Sequence, residues 1–209
     1  MFTIALGLFA ISLFLALVEI EVEGKYGWAE RIPTWYRTTG FAGRLWGLIM
    51  GGKPLTGYHL FLNILLLSMF HFKFLDGAEW SGATELTTLA KFFAMTVCWD
   101  FMWFVFNPNY TLKNYKRENI WWFAKSYWVF GIFPFDYVAG WGASVLLAGL
   151  SGLAEHSAIA SAMNQMCLLG FLLVFIFIAI ILSPVYRWWY KKMRLKDNRD
   201  KAGIFHRLP

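Results

Sequence analysis

VCWDFMWFVFNPNY (97–110) decides the reading of this chain. It reads as the closing part of a membrane-spanning helix that stops at Pro108, because proline supplies no backbone N–H and clashes with the preceding turn. Yet Asp100 sits in it among aromatic and aliphatic neighbours. A lone aspartate in the middle of a span costs about 2.5–3.5 kcal/mol on insertion scales, so Asp100 is expected to have partners.

The composition supports a membrane setting. The 209 residues are 58% hydrophobic, 20% aromatic and 15% charged, against about 25% charged in an ordinary soluble domain. Twelve Trp and 21 Phe exceed what one soluble core needs. The class is therefore an all-α, polytopic integral membrane protein. Crossing the hydrocarbon takes about 20 mostly apolar residues. Five segments meet that length or nearly so, at about 2–18, 57–75, 85–106, 137–153 and 160–183. They form one transmembrane domain over 1–186, with interfacial segments at 24–56 and 107–136 and a basic tail at 187–209. Pro184 is expected to stop the fifth span. The first span lacks a basic n-region and a small-x-small cleavage site, so it reads as a retained helix.

Lys and Arg set the orientation. Lys25, Arg31, Arg37, Arg44 and Lys53 lie between the first two spans. Lys113, Lys116, Arg117 and Lys125 lie between the third and fourth, and the tail from Arg187 to Arg207 is strongly basic. With five spans these three segments fall on one side, which the positive-inside rule makes cytoplasmic, with the N-terminus outside. The expected location is the cell membrane. The net charge of +6 lies mostly in that tail, so the expected partner is anionic lipid headgroups rather than nucleic acid. A membrane-protein partner or a homo-oligomer also fits the aromatic-rich surface. The connections 35–52 and 120–137 mix Trp and Tyr with scattered cations and read as interfacial; a re-entrant hairpin is the alternative for 120–135.

The polar groups converge. At about 100° per residue, Glu85, Thr96, Asp100, Trp103 and Asn107 fall within roughly 60° of one another. In the second span His59 and Asn63 are four apart and share a face, whereas His71 lies roughly 120° from His59 near the other end. Glu19 and Glu23 share a face if the first helix continues that far; Glu21 points elsewhere. Topology brings Glu19, His59 and Asp100 to the cytoplasmic ends of three consecutive antiparallel helices. Carboxylates and an imidazole at one depth hold a metal ion, relay protons or bind a polar headgroup. The expected catalytic and metal set is therefore Asp100, His59 and Glu19, with a divalent metal ion as the cofactor. Asn63, Asn107, Glu23 and Trp103 are the expected orienting or substrate-contacting residues.

Other observations temper this. HExxH and other familiar metal signatures are absent, as are nucleophile elbows and phosphate-binding glycine loops. Cys98 and Cys167 lie in hydrophobic segments and form no CxxC. For Asp100 the structural alternative is a carboxylate capped by a neighbouring Trp, Tyr or Asn that holds helices together. The sequence thus carries two functional readings: a membrane enzyme acting on a lipophilic substrate, and a non-catalytic subunit or small transporter. The small residues Ala139, Ala143, Ala148 and Gly152 are expected to serve close helix packing.

Overall fold

The computed structural model describes residues 2–198. Its helices are α1 (Phe2–Glu23), α2 (Gly40–Ile49), α3 (Gly57–Leu75), α4 (Gly82–Phe106), α5 (Phe135–Ala154) and α6 (Ala158–Leu195). All but α2 are long and apolar enough to cross a membrane, which makes this a multi-pass protein by helix length and composition. Two tiny antiparallel ladders pin the connections. β1 (Tyr36–Arg37) pairs with β2 (Leu55–Thr56), and β3 (Trp128–Val129) pairs with β4 (Phe133–Pro134).

Helix α4 is the hub. It packs against α5, α1 and α6, and more sparsely against α3. Half of its most apolar stretch is buried, against 11% for α3, which leans on the bundle from outside. Small and hydroxylated residues allow the close approaches, since lipid gives helices no hydrophobic reason to associate. Ala16 and Ala94 are fully covered. Ser12 of α1 bonds the Leu8 carbonyl at 2.9 Å and reaches the Met95 carbonyl at 3.4 Å. Ser144 of α5 bonds the Ala90 carbonyl at 2.7 Å. A side chain on Gly152 would meet the Ser161 backbone nitrogen at 2.3 Å, so α5 and α6 touch there backbone to backbone.

The helix ends follow from local chemistry. Thr56, Ser81 and Ser157 cap α3, α4 and α6 through their hydroxyls, and Ser81 forms a reciprocal box with Thr84. Helix α4 ends where Asn107, held extended before Pro108, leaves the helical region. Its last carbonyls are taken by Arg187 of α6. The guanidinium donates to the carbonyls of Val105 at 2.8 and 3.0 Å, of Tyr110 at 2.8 Å and of Phe104 at 3.2 Å.

Two helix ends run beyond the expected spans, and one alternative falls away. Helix α1 does not stop near residue 18 but runs to Glu23, so Glu19 and Glu23 do share a helical face. Helix α6 does not stop at Pro184 but runs through it to Leu195, so the first part of the expected tail is helical. A proline removes one backbone bond, at about 3 kcal/mol in a helix interior. Here Phe171 and Val174 pack on one side of Pro184, and Arg187 and Tyr190 hold the helix on the other. At 38 residues α6 is ~57 Å long, well beyond the ~30 Å hydrocarbon thickness. The end of the tail, 199–209, lies outside the described residues. Finally, 120–135 forms no re-entrant helical hairpin. It holds a single 3₁₀ turn at Trp121–Phe123 followed by the β3–β4 ladder.

Candidate functional site

One end of the bundle gathers the polar residues. Glu19 and Glu23 come from the last turns of α1, and His59 from the first turn of α3. All three are buried. One ligand atom from each lies within 4.8 Å of the others, with His59 Nε2 3.8 Å from Glu19 Oε1. A void of about 10 Å³ lies among Glu19, Glu23, His59, Asp100 and Trp103. That holds a single water or bare ion and nothing larger.

The cap of α3 sets the imidazole. Thr56 Oγ1 accepts the His59 backbone N–H at 3.1 Å and lies 2.7 Å from His59 Nδ1. With Nδ1 donating to that oxygen, Nε2 keeps its lone pair and presents it to Glu19, as a metal-binding histidine does. Trp28 closes the other face, its ring stacked on the imidazole at 4.0 Å and 14°. Its own N–H donates to the Pro54 carbonyl at 3.0 Å.

The turn that delivers Trp28 is unusual. Gly24, Gly27, Trp28 and Ala29 all have positive φ, at 63°, 66°, 44° and 55°. A non-glycine residue held there costs on the order of 1–3 kcal/mol, and such residues gather at functional sites. Glycine is required at 27, where a Cβ would lie 2.2 Å from the Trp122 ring. The turn lets the Ala29 N–H donate to the Glu23 carboxylate. Asn107, fully buried, fastens the same turn by donating to the Gly24 carbonyl at 2.7 Å.

Beside this cluster opens a cavity of about 480 Å³. Glu19, His59, Asn63 and Asp100 lie at its polar pole, while Phe92, Phe93, Val97, Ala139 and Ala143 line its apolar wall. Asp100 borders both the cavity and the small void, and accepts a hydrogen bond from Tyr137 of α5. Lys53 is also buried in the lining. Its ammonium pairs with Asp136 at 3.0 Å and lies 4.0 Å from the Phe123 ring centroid. Burial pushes the neighbouring Tyr115 hydroxyl well above the usual tyrosine value, with the Asp100 charge adding to it.

Of the residues singled out from sequence, Glu19, His59 and Asp100 border one void, and Asn63 borders the larger cavity. The tightest trio differs from the expected metal set. Glu23, expected as an orienting residue, belongs to it, and Asp100 stands at the wall. Asn63 donates to its own helix at the His59 carbonyl, 2.8 Å away. Asn107 is a clasp rather than a lining residue. Trp103 walls the void with a buried indole N–H that has no hydrogen-bond partner. Glu85 lies on the same helix but at the opposite end of the bundle, where it meets His71 Nε2 at 2.8 Å and Trp80 at 3.2 Å. Ala139 and Ala143 line the cavity. Sequence reasoning missed Trp28, Lys53, Asp136 and Tyr137. Of these only Asp136, an acid at the start of a span, carried a signal that could have found it.

The site defined by these residues is a buried carboxylate–imidazole cluster at the polar end of a cavity between the helices. No family model, curated protein or solved structure matches the chain.

Proposed function

We propose that this protein is a metal-dependent membrane enzyme. Glu19, Glu23 and His59 hold a divalent ion, and the cavity beside them receives a lipophilic substrate. The observation that carries this reading is the buried trio around a void of ion size. Charge supports it. Glu19, Glu23, Asp100 and Asp136 face one buried lysine, Lys53, already paired with Asp136. A buried carboxyl without a positive partner is driven to its neutral form, and a divalent ion is the partner that would hold Glu19 and Glu23 ionised. Trp103 adds a buried donor ready for an oxygen on the ion or the substrate.

One nitrogen and two carboxylates suit Zn²⁺, Mn²⁺ or Fe²⁺. Bonds of about 2.0–2.2 Å at tetrahedral angles put ligand atoms about 3.3–3.6 Å apart, so the trio, now within 4.8 Å, closes by about an ångström on binding. Three protein ligands leave a coordination position free, the pattern of catalytic rather than structural ions. The ion supplies Lewis acidity to a substrate oxygen or a bound water. Asp100, at the junction of void and cavity and steadied by Tyr137, is the proton acceptor. Asn63 orients the substrate from α3.

The basic segments 25–53 and 113–125 and the end of α6 belong to the Glu19 end of the bundle, and we assign that end to the cytoplasmic face of the cell membrane. The basic end of α6 then meets anionic lipid headgroups. Elemental analysis of purified protein tests the central claim. Wild type should carry about one equivalent of a divalent transition metal, lost in Glu19→Ala and His59→Ala. Metal-free wild type, after supplementation, overturns it.

The exposure of α3 favours a second reading, a non-catalytic subunit whose α3 face meets a partner helix or a second copy. Native mass spectrometry after gentle extraction separates the two. A stable complex with metal-free chains supports the subunit; a metal-loaded monomer removes it.

A further inference from the structure

Resting on the reading of the cavity as a substrate site, we infer that its ligand is a single-chain lipid ending in an uncharged oxygen function, a hydroxyl or carbonyl, which enters sideways from the membrane. Neither a diacyl lipid nor a lipid phosphate fits it.

Size gives the single chain. About 480 Å³ lies within the range of pockets that enclose one small-molecule ligand, about 300–1,000 Å³. One hydrocarbon chain with a small head fills that space, and a two-chain phospholipid exceeds it. The wall has the matching shape. Helix α5 comes so close to α4 that a side chain on Gly140 would meet Val97 at 2.4 Å. One turn further along α5, Ala143 leaves a channel floored by Phe92 and Phe93.

Charge gives the uncharged head. Four carboxyl groups, Glu19, Glu23, Asp100 and Asp136, stand against Lys53. With a divalent ion balancing Glu19 and Glu23, and Lys53 paired to Asp136, the pole offers no unpaired buried cation and one further carboxyl, Asp100. A phosphate or carboxylate head would bring unpaired charge into a site shielded from water, where screening is weak. A hydroxyl or carbonyl adds no charge, and accepts from buried donors or bonds to the ion. Lys125 borders the mouth, but it is exposed and its stem packs on Gly52.

The mouth gives the direction of entry. It is rimmed by Leu48 and Ile49 of α2, 82% and 67% exposed, and by Phe135, 52% exposed. An apolar rim next to a short helix with an apolar face belongs at the membrane interface, where hydrocarbon chains reach it without crossing water. Among the long helices α3 keeps sustained contact with α4 only, which leaves the side facing α5 open to a chain.

The test is photolabelling in detergent with a diazirine-bearing hexadecanol, followed by peptide mapping. Label is expected on 92–97 and 139–143, with hexadecanol competing at least about tenfold better than hexadecyl phosphate or a diacyl phosphatidylcholine. Ala143→Trp should cut labelling about tenfold, and Ala139→Leu provides a milder occlusion if the larger residue impairs folding. Glu19→Gln together with Glu23→Gln should narrow the preference against phosphate. Equal competition by the phosphate, labelling untouched by both occluding variants, or label spread over outward residues such as Leu146 and Ile180 overturns the inference. Labelling needs neither metal nor turnover. Metal-free protein that still labels in the cavity therefore fails the enzyme reading alone, and metal-loaded protein that does not label there fails this one alone.

Discussion

Thr56 grips His59 twice, through the backbone N–H at 3.1 Å and through Nδ1 at 2.7 Å. One hydroxyl thus starts helix α3 and fixes the ring that faces Glu19. Thr56→Val keeps the shape and loses both contacts. It should lower stability by about 1 kcal/mol through the lost cap and weaken metal binding by about 10–100-fold through the freed ring. Thr56→Ser should retain most of both. Thermal unfolding with and without added metal reads the two effects separately.

The ligand assignment makes its own prediction. Glu19→Ala, Glu23→Ala and His59→Ala should each lose the ion, whereas Asp100→Asn should keep it, because Asp100 lies outside the tightest trio. Metal at about 100 times its Kd should stabilise wild type by about 2.7 kcal/mol, and a chelator should remove that increment. Loss of the ion in Asp100→Asn at unchanged fold would move Asp100 into the coordination sphere.

Glycines 24 and 27 share a left-handed backbone but not a neighbourhood. Nothing lies near the Cβ position of Gly24, whereas Trp122 occupies that of Gly27. Gly24→Ala should therefore cost only the backbone term, about 1–2 kcal/mol. Gly27→Ala should cost more and shift the tryptophan emission as Trp122 is displaced. Equal destabilisation by the two variants would contradict the packing described at that turn.

Arg187 is the main bond between α6 and the end of α4. Arg187→Met should destabilise by about 2–3 kcal/mol, since charge-assisted bonds to carbonyls are lost and those carbonyls stay covered. Arg187→Lys should recover little, because an ammonium cannot reproduce a fork spanning three carbonyls. Denaturation in mild detergent measures both, and metal content should be unaffected in either.

The spans were legible because apolar runs and their caps are local. Thr56 and Pro108 mark ends that need no tertiary knowledge. The shared void of Glu19, His59 and Asp100 followed from helical periodicity and alternating direction, which also act locally. Pro184 misled because the rule that proline ends a helix ignores the packing on either side of it. Tyr137 and the Lys53–Asp136 pair were illegible for a different reason. Their meeting depends on how far α5 slides along α4, which contacts such as Gly140 on Val97 settle. Lys53 in particular looked like one of several cations marking a membrane face, and its burial exists only once Trp28 and Phe123 have closed around it.

The trio is divided between the first long helix and the second. During synthesis Glu19 and Glu23 emerge first, and the imidazole of His59 follows only after the α2 connection has been made. A nascent chain halted before α3 holds two acids and no nitrogen, too few ligands to retain an ion. If the trio holds an ion as proposed, metallation is a late event in biogenesis, and its completion reports that α1 and α3 have found each other.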